Sequence, residues 1–558
     1  MASVSAKPWL KQYDVGGEGT FVLPESCKPY PKGPLFSILD NSARDFPDNP
    51  AVHFMDLVIT FARLKELTDR FAHGLADLGV KPGDRVATCL QNSPQFIISD
   101  FGILKTGASH VPCSTLHKAD ELIREIDGSG AEMLICMDSS MEIVEKVKSK
   151  TGIKRVIVTS LNDLLNENQE PGKIAGTYQF LDLLKKCPPE PPRVTIDPEQ
   201  DVAELIFTGG TTGDPKGVML THASKLANLR HLAWALGPMA DLMKGACSWL
   251  IAVPLFHQMG MTCMHFNVLM GFEVYIVADP RDLNNIADIL KNNRPTLCSC
   301  VPQQYARLLD MDLGKLSTVF ASSTAPLRKE VTDKFKEETG AEIADAYGAT
   351  EVGGGTHTNL SGNPLVKEKK PGSIGVPFPD TEVKIIDPET GKEIDTGEAG
   401  ELWVRGPQIM KGYWPAPGSG LIDGWLPMGD IVKMDEDGYF YITDRIKDMA
   451  NVSGMKVYTI IVDRVLYEHP GVDMAAAIAV PDPERPGSDR VKAFIKLKDA
   501  YNGKVTTEEI LALCKEKLAA YAVPKYIEFR DDLPVNPMGK ILKRQLRDEE
   551  LAKSNSPK

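Results

Sequence analysis

Apolar side chains recur at helical spacing early in the chain. Leu64, Leu67, Phe71, Leu75 and Leu78 stand at positions i, i+3, i+7, i+11 and i+14, on one face of a helix. A turn follows at residues 81–84, and later apolar segments alternate between strand and helix. These segments are 85–90 (strand), 95–105 (helix), 132–137 (strand) and 155–159 (strand). Such alternation predicts parallel sheets with helices packed on their faces.

The pattern changes further along the chain. The proline-rich stretch 186–197 predicts a spacer ahead of an apolar strand, Val202–Phe207. After Gly372, short strands between Gly, Pro and Asp turns predict a β-rich module, with strands at 383–386, 400–405 and 438–443. Beyond Asp448 the pattern predicts a small α+β domain, with helices at 462–468 and 507–519 and strands at 475–480 and 491–497. We expect residues 551–558 to be disordered.

Composition limits the class of protein. The chain has 558 residues, enough for two to four domains, and its net charge of −13 argues against a nucleic-acid partner. No apolar run reaches the roughly 18 residues that span a bilayer, and residues 1–10 lack a secretory signal's apolar stretch. Ten scattered cysteines do not resemble a disulfide framework. We therefore expect a cytoplasmic protein with no integral membrane segment, whose oligomeric state stays open.

A Gly/Thr-rich stretch directly follows the strand 202–207. Residues 207–222 read FTGGTTGDPKGVMLTH. Glycines let main-chain N–H groups approach anionic oxygens, threonine hydroxyls add donors, and Lys216 adds a positive charge. The P-loop motif G-x-x-x-x-G-K-[ST] does not fit, because Pro215 and Gly217 flank the lysine. The stretch therefore predicts a phosphate-binding loop of another type.

Five further segments occur along the chain with this loop, in an order and at a spacing that match one known family of proteins. They are residues 254–260 (PLFHQMG), 345–351 (DAYGATE), 425–430 (WLPMGD), 441–448 (YITDRIKD) and 533–544 (LPVNPMGKILKR). With the loop, they resemble the adenylate-forming superfamily of acyl-CoA synthetases, luciferases and peptide-synthetase adenylation domains. The resemblance covers roughly residues 34–547. It implies an α/β fold with a large N-terminal adenylation domain of two α/β sheet subdomains and a β-rich subdomain (1–446), a hinge (447–448), and a small mobile α+β C-terminal domain (449–558).

The resemblance also implies a reaction. A carboxylate is a poor acyl donor because its leaving group would be oxide, whereas an acyl-adenylate leaves AMP. The implied enzyme is an AMP-forming acid–thiol ligase that uses ATP, Mg²⁺ and coenzyme A. It would convert a small carboxylic acid to acyl-CoA, AMP and pyrophosphate, and it can run in reverse.

The family pattern assigns roles to individual residues. By resemblance, Tyr347 stacks on adenine, Asp430 binds the ribose hydroxyls and Lys447 lies at the hinge. The expected catalytic residues are Lys540, Thr208, Thr350, Glu351 and His257, with Glu351 as the metal ligand. Residues expected to bind ATP, AMP or CoA are Gly209, Gly210, Thr211, Thr212, Gly213, Lys216, Ser323, Thr324, Ala325, Asp345, Ala346, Tyr347, Gly348, Asp430, Ile442, Arg445, Lys447, Ser453 and Gly454. Residues expected to line the acid pocket are His257, Gln258, Met261, Ser323, Gly348, Val352 and Gly353.

The chain also departs from the family pattern. Met428 and Asn536 replace residues that are usually Thr in the family, with Arg also found at the second position. Thr459 stands for the usual proline and Ile461 for the usual glutamate, within the stretch that lines the thioester site in the family. These changes leave the expected adenylation residues intact and weaken the placement of the CoA channel.

The pocket residues favour an apolar monocarboxylic acid, because they include no cation to pair with a second carboxylate. Ser323 and Thr324 add bulk where the family has small residues, which favours a short-to-medium, aromatic or alicyclic acid over a long straight chain. The fatty, aromatic and alicyclic classes all stay open. An enzyme that loads a carrier-protein phosphopantetheine is the alternative, and a luciferase-type oxidase or a non-catalytic relative are further possibilities.

Overall fold

The structure is a computed structural model that describes residues 4–15, 19, 21–166, 174–208, 215–323, 327, 329–360, 370, 372–453, 455–485, 488–536 and 539–555. The chain forms two compact units. The larger unit comprises Trp9–Glu382 and Val404–Leu426. The smaller unit comprises Met1–Pro8, Val383–Trp403 and Pro427–Lys558. The predicted domain boundaries at 446–449 stay a prediction.

The α-helices of the described residues are numbered along the chain. They are α1 (Ser37–Asp45), α2 (Phe61–Asp77), α3 (Pro94–Lys105), α4 (Ala119–Ser129), α5 (Met141–Lys148), α6 (Phe180–Lys186), α7 (His222–Ala235), α8 (Met239–Met243), α9 (Gln258–Met270), α10 (Leu283–Asn292), α11 (Pro302–Leu308), α12 (Lys329–Thr339), α13 (Thr459–Tyr467), α14 (Thr507–Lys517) and α15 (Lys543–Asn555). Among the described helices, none has both the length and the apolarity needed to cross a bilayer.

The strands of the described residues are numbered in the same way. They are β1 (Pro50–Phe54), β2 (Leu57–Thr60), β3 (Arg85–Cys89), β4 (Ser109–Pro112), β5 (Met133–Met137), β6 (Arg155–Thr159), β7 (Tyr178–Gln179), β8 (Val202–Thr208), β9 (Lys216–Thr221), β10 (Ser248–Ile251), β11 (Glu273–Ile276), β12 (Leu297–Cys300), β13 (Val319–Ser322), β14 (Ile343–Ala349), β15 (Gly354–Thr358), β16 (Val376–Pro377), β17 (Glu382–Ile386), β18 (Gly400–Arg405), β19 (Gly412–Tyr413), β20 (Ala416–Pro417), β21 (Leu426–Met434), β22 (Phe440–Arg445), β23 (Ala450–Val452), β24 (Met455–Val457), β25 (Val472–Pro481), β26 (Asp489–Leu497) and β27 (Tyr526–Phe529).

Two nine-stranded sheets organise the larger unit. One has the order β16-β15-β14-β13-β12-β10-β11-β1-β2, and the other has the order β20-β19-β9-β8-β4-β3-β5-β6-β7. The inner strands pair mostly in parallel, and antiparallel strands complete three of the four edges, whereas the edge strand β7 pairs in parallel with β6. The predicted α/β class with parallel sheets is confirmed.

Helix α2 illustrates how the apolar pattern becomes packing. The Thr60 hydroxyl accepts a hydrogen bond from the Arg63 N–H and caps the first turn. Leu64, Leu67 and Phe71 are each at most 2% exposed. The helix ends before Gly79, whose φ of +86° a side-chain-bearing residue rarely adopts. The predicted helical face is therefore the buried face.

The smaller unit contains three sheets. Strands β17-β18-β21-β22 form one, β23 and β24 form a hairpin, and β25-β26-β27 form the third. Helices α13 and α14 share an apolar core with β25 and β26, in which Val462, Ile495 and Ile510 are fully buried. Residues 551–555 belong to α15, so the expectation of disorder is wrong for them. Leu546, fully buried in the same helix, provides the apolar anchor; residues 556–558 lie outside the described chain.

Candidate functional site

The phosphate loop joins two antiparallel strands of the larger unit. Strand β8 ends at Thr208, β9 begins at Lys216, and these two residues are paired across the hairpin. The Thr208 hydroxyl donates to the Lys216 carbonyl oxygen over 3.5 Å. A P-loop instead leads from a strand into a helix, so the topology agrees with the exclusion made from the sequence.

Tyr413 connects this hairpin to Glu351. Its strand β19 pairs with β9, with Tyr413 opposite Val218. The Lys216 ammonium lies 5.0 Å from the centre of the Tyr413 ring, and the Tyr413 hydroxyl donates to Glu351 Oε1 over 3.0 Å. Burial, followed by the Glu351 charge, raises the pKa of the Tyr413 phenol well above its usual value. The phenol therefore stays protonated and holds one carboxylate oxygen beside the phosphate hairpin.

A close backbone approach fixes the turn that carries Thr350 and Glu351. Strands β14 and β15 are paired with an irregularity at Tyr347–Gly348. A Cβ atom on Gly348 would lie 1.7 Å from the Gly354 carbonyl oxygen, so only glycine fits. The Met410 N–H donates to the Glu351 carbonyl oxygen over 2.8 Å. These backbone contacts fix the position of the Glu351 Cα atom, from which the side chain extends.

The start of α9 brings together four residues predicted to line the acid pocket, which are His257, Gln258, Val352 and Gly353. His257 caps the helix, since its Nδ1 accepts from the Met259 N–H over 3.3 Å. Gln258 Nε2 donates to the Gly353 carbonyl oxygen over 2.8 Å, which ties α9 to the turn after Val352. Burial lowers the pKa of His257 to about 4. The imidazole is thus neutral at pH 7 and presents an uncharged polar edge.

The carboxyl ends of β13 and β14 place further predicted residues side by side. Ser322 pairs with Asp345 in the parallel register. Ser323, which follows, directs its hydroxyl to the Met259 sulfur at 2.9 Å. Burial raises the pKa of Asp345 to about 6. Strand ends of parallel sheets are the usual place for ligands, and here they meet the first turn of α9.

A buried charge network holds α9 from its other side. Asp100 accepts hydrogen bonds from His110 and His265, each over 2.7 Å. His265 Nδ1 also lies 3.4 Å from Glu204, which pairs with Lys225 over 3.1 Å. All five side chains are fully buried. Although burial raises it, the pKa of Asp100 is well below its usual value because His265 and His110 stabilise the carboxylate.

In the smaller unit, Asp430 and Arg445 are direct partners. They face each other across β21 and β22, and Arg445 Nε lies 2.9 Å from Asp430 Oδ1. A carboxylate offers acceptors suited to ribose hydroxyls, and a guanidinium suits a phosphate. Residues 446–448 form a turn immediately after Arg445, and Lys447 is exposed there.

Lys540 lies close to this pair, on a short turn. The Lys540 N–H donates to Asn536 Oδ1 over 2.8 Å, and the Asn536 N–H donates back to the Lys540 carbonyl oxygen. Burial and the Arg445 charge lower the pKa of Lys540, and Asp430 and Asp448 oppose them. Asn536 thus replaces the family's usual residue with a side chain that shapes the turn.

Ser453 forms the tip of the β23–β24 hairpin, where φ is +52°. Its hydroxyl accepts from Arg485 over 2.9 Å. Nearby, Thr459 is fully buried, whereas Ile461 is 40% exposed. Of the departures from the family pattern, Thr459 therefore lies in the protein interior and Ile461 at the surface.

The predicted site residues divide between the two units. The larger unit groups Thr208, Lys216, His257, Gln258, Met261, Ser323, Asp345, Ala346, Tyr347, Gly348, Thr350, Glu351, Val352 and Gly353, and the smaller unit holds Asp430, Ile442, Arg445, Lys447, Ser453 and Lys540. Predicted residues outside the described chain are Gly209, Gly210, Thr211, Thr212, Gly213, Thr324, Ala325 and Gly454. Tyr347 is buried, with its ring edge-to-face against His357; its role in binding adenine stays a prediction.

Sequence reasoning missed Tyr413 and the charge network around Asp100. Tyr413 is 62 positions from Glu351, and its strand has only two residues. Charged residues within mostly apolar segments, such as Asp100 in α3 and Glu204 in β8, are the sequence signal that could have indicated a buried network.

The larger unit carries a Gly/Thr-rich hairpin beside a carboxylate, and the smaller unit carries an Asp–Arg pair near a lysine, which is the side-chain chemistry expected of a nucleotide-binding α/β enzyme. Residues 39–414 match the family described as AMP-binding enzyme, and residues 462–540 match its C-terminal domain. The chain belongs to this family.

Relatives extend over nearly the whole chain. A long-chain-fatty-acid–CoA ligase from Bacillus subtilis (strain 168) is 37% identical, covering 98% of both chains. A feruloyl-CoA synthase from an Amycolatopsis species is 33% identical, covering 90% of this chain and 96% of its own. The solved structure of an anthranilate CoA ligase with anthranoyl-AMP has a TM-score of 0.82 and 26% identity, covering 95% of this chain and 100% of its own.

Proposed function

We propose that the protein is an ATP-dependent acyl-CoA ligase. It activates an apolar monocarboxylic acid as the acyl-adenylate and transfers the acyl group to CoA. The observation that carries the proposal is the grouping of Lys540 with Asp430 and Arg445 in the smaller unit. A catalytic lysine beside a carboxylate that can bind ribose hydroxyls suits adenylyl transfer at the α-phosphate of ATP. The family and the CoA-ligase relatives support the same chemistry.

In the first half-reaction, a carboxylate oxygen of the acid attacks the α-phosphorus of ATP, and pyrophosphate leaves. Such transfer depends mainly on alignment and charge neutralisation. Lys540 and Arg445 neutralise charge on the α-phosphate, and Asp430 holds the ribose. Lys216 and the Thr208 hydroxyl act on the β- and γ-phosphates. The neutral His257 borders the acid without competing for its charge.

In the second half-reaction, the CoA sulfur attacks the carbonyl carbon of the mixed anhydride. The thiol proton passes to solvent, the acyl–phosphate bond breaks, and AMP leaves. We propose that the chain pivots at the 446–448 turn between the two half-reactions, so that Lys540 acts only in the first. The Ser453 hairpin then belongs to the thiol-transfer step.

Mg²⁺ fits the donor chemistry at Glu351. Magnesium prefers carboxylate oxygens and phosphate oxygens and usually keeps several waters. Tyr413 holds one Glu351 oxygen in place, which suits a single protein ligand. When bound, the ion would neutralise phosphate charge during transfer.

The acid is an apolar monocarboxylate of the fatty, aromatic or alicyclic class. Met261 and Val352 are fully buried beside neutral Gln258 and His257. The relatives named above act on a long-chain fatty acid, a ferulate and an anthranilate, so they support more than one class of acid substrate. A cytoplasmic location is part of the proposal.

The test is AMP and pyrophosphate formation over a panel of carboxylates, with and without CoA. We expect CoA-dependent AMP formation with at least one apolar acid. Lys540→Met should slow adenylation at least about a hundred-fold, while transfer from supplied acyl-adenylate stays within a few-fold of wild type. Lys525→Met, at an exposed lysine of the same unit, is the control. CoA-independent release, with acylation only of a carrier protein, would favour the phosphopantetheine-loading alternative.

A further inference from the structure

A set of polar side chains lies directly behind Lys540 in the smaller unit. Lys543, the first residue of α15, places its ammonium 2.6 Å from Asp463 Oδ2 and donates to the Thr459 hydroxyl over 2.9 Å. We call Asp444, Thr459, Asp463 and Lys543 the Lys543 network. Each of its members is mostly or completely buried.

Thr459 connects Lys543 to the strand that carries Arg445. While it accepts from Lys543, the Thr459 hydroxyl has one proton to give, and it lies 3.5 Å from Asp444 Oδ1. The same Asp444 oxygen accepts from the Arg445 N–H over 2.7 Å. A continuous path of hydrogen bonds thus runs from the helix after Lys540 to the backbone of Arg445.

The other end of the Lys543 network is fixed to a sheet. Asp463 Oδ1 accepts from the Ala477 N–H over 2.5 Å, and Ala477 lies in β25, within the core of the smaller unit. Lys543 is therefore held between a rigid strand and a hydroxyl. Because Lys543 is three residues from Lys540, fixing it also limits where the Lys540 turn can lie.

A second ion pair holds the same helix one turn later. Arg547 pairs with Asp448, which ends the 446–448 turn. Lys543 and Arg547 are spaced i, i+4, so they share one face of α15. This face of α15 therefore contacts the chain on both sides of the turn. Lys543 reaches Asp444 through Thr459, and Arg547 pairs directly with Asp448.

We propose that Thr459 is a positioning residue for adenylation, acting through Lys543 to hold Lys540 beside Asp430 and Arg445. This inference rests on the proposed function. The contacts join residues before the 446–448 turn to residues after it. They stabilise the arrangement that serves the first half-reaction, and a pivot at that turn breaks them before thiol transfer.

The test compares the two half-reactions in single-site variants of the full-length protein. Thr459→Val keeps the side-chain shape and removes the hydroxyl. We expect its kcat for adenylation, measured as acid-dependent pyrophosphate exchange, to fall roughly ten-fold, the factor expected for a charge-assisted hydrogen bond. The KM for ATP and the rate of thioester formation from supplied acyl-adenylate should stay within about two-fold of wild type. Thr459→Ser should restore adenylation.

Two further variants make the outcome decisive. Thr396→Val removes a buried hydroxyl of the same unit that has no hydrogen-bond partner among the described atoms, and should leave both half-reactions unchanged. Lys543→Met should reproduce the selective adenylation defect, and it serves as the deciding variant if Thr459→Val does not fold. Unchanged adenylation, or an equal loss of both half-reactions, overturns the inference. If wild-type protein forms no AMP with any acid, the proposed function itself fails.

Discussion

At the scale of single residues, the site depends on side-chain pairs that are far apart in sequence. Glu351 is held by Tyr413, and Lys540 lies near Asp430 and Arg445. The sequence motifs contain Glu351, Asp430, Arg445 and Lys540, but none of them contains Tyr413. The family resemblance predicts roles for Glu351 and Lys540, whereas the contact of Tyr413 with Glu351 follows only from the pairing of β19 with β9.

Tyr413→Phe keeps the ring near Lys216 and removes the hydroxyl that fixes Glu351. We expect kcat/KM for adenylation to fall roughly three- to ten-fold, because a mobile carboxylate organises charge less well. Titration of Mg²⁺ should show half-saturation at a higher concentration. Tyr526→Phe, which removes a hydroxyl bonded to Arg490 elsewhere, is the control. Wild-type kinetics in Tyr413→Phe would contradict the role of this contact.

The raised pKa of the buried Asp444 carboxyl predicts that the stability of the folded protein depends on pH. Burial raises its pKa from 3.8 to about 6, with Lys543 opposing. Between these values the folded protein keeps a proton that the unfolded chain has lost, so stability falls as pH rises through this window. Above pH 6 the buried charge costs up to about 3 kcal/mol.

Asp444→Asn removes that charge while its amide oxygen can still accept from Arg445. The thermal midpoint of the variant relative to wild type should therefore rise between pH 5 and pH 8. Differential scanning calorimetry at both pH values measures this. Asp531→Asn, at an exposed position, should show no such trend. A midpoint difference independent of pH would argue against a shifted Asp444.

At the scale of elements, backbone contacts shape the site as much as side chains do. Strands β14 and β15 approach so closely at Gly348 that an added methyl group has no room. This contact determines where Thr350 and Glu351 leave the sheet. The need for glycine comes from backbone geometry.

Gly348→Ala should therefore displace the Glu351 turn. We expect a loss of adenylation of at least about ten-fold and a thermal midpoint lowered by several degrees, since a strained backbone costs roughly 1–3 kcal/mol. Gly152→Ala is the matched control, because a Cβ there meets no atom within 4 Å and its φ is not positive. If both variants behaved like wild type, the close approach would not constrain the site.

Sequence patterns predicted most elements and failed where tertiary contacts decide. Strands β6 and β18 have the predicted bounds, because a short apolar run such as β6 and an alternating pattern such as β18 are both local information. Helix α13 begins at Thr459, three residues earlier than expected, where Lys543 bonds to its first side chain. Helix α15 extends to Asn555 although its mean hydropathy is low. Its Lys543 and Arg547 partners are about 80 to 100 positions away.

At the scale of the whole molecule, the predicted residues lie in two compact units, and each unit has its own internal support. In the larger unit, the network around Asp100 joins α3, β4, β8, α7 and α9 in one buried cluster. It fixes the helix whose first turn carries His257 and Gln258. Apolar periodicity could predict the sheets but not this cluster, because its residues belong to five separate elements.

Asp100→Asn tests that support. The amide cannot accept from both His110 and His265 as the carboxylate does, so one buried partner loses its bond. We expect a destabilisation of roughly 3–5 kcal/mol, seen as a lower thermal midpoint for the larger unit by calorimetry. Asp241→Asn, at a 90% exposed side chain, is the control. An unchanged midpoint would mean that the cluster contributes little to folding.

Helix α15 has a consequence for interpreting truncated genes. A stop codon just after Lys540 would remove only residues 541–544 of the last motif and would leave all the others in the product, from the loop at 208–217 to Lys540 itself. The product would lack Lys543, Arg547 and the buried Leu546, which hold the lysine turn from behind. Motif searches would classify such an allele as functional, yet its product should bind nucleotide and fail to activate the acid.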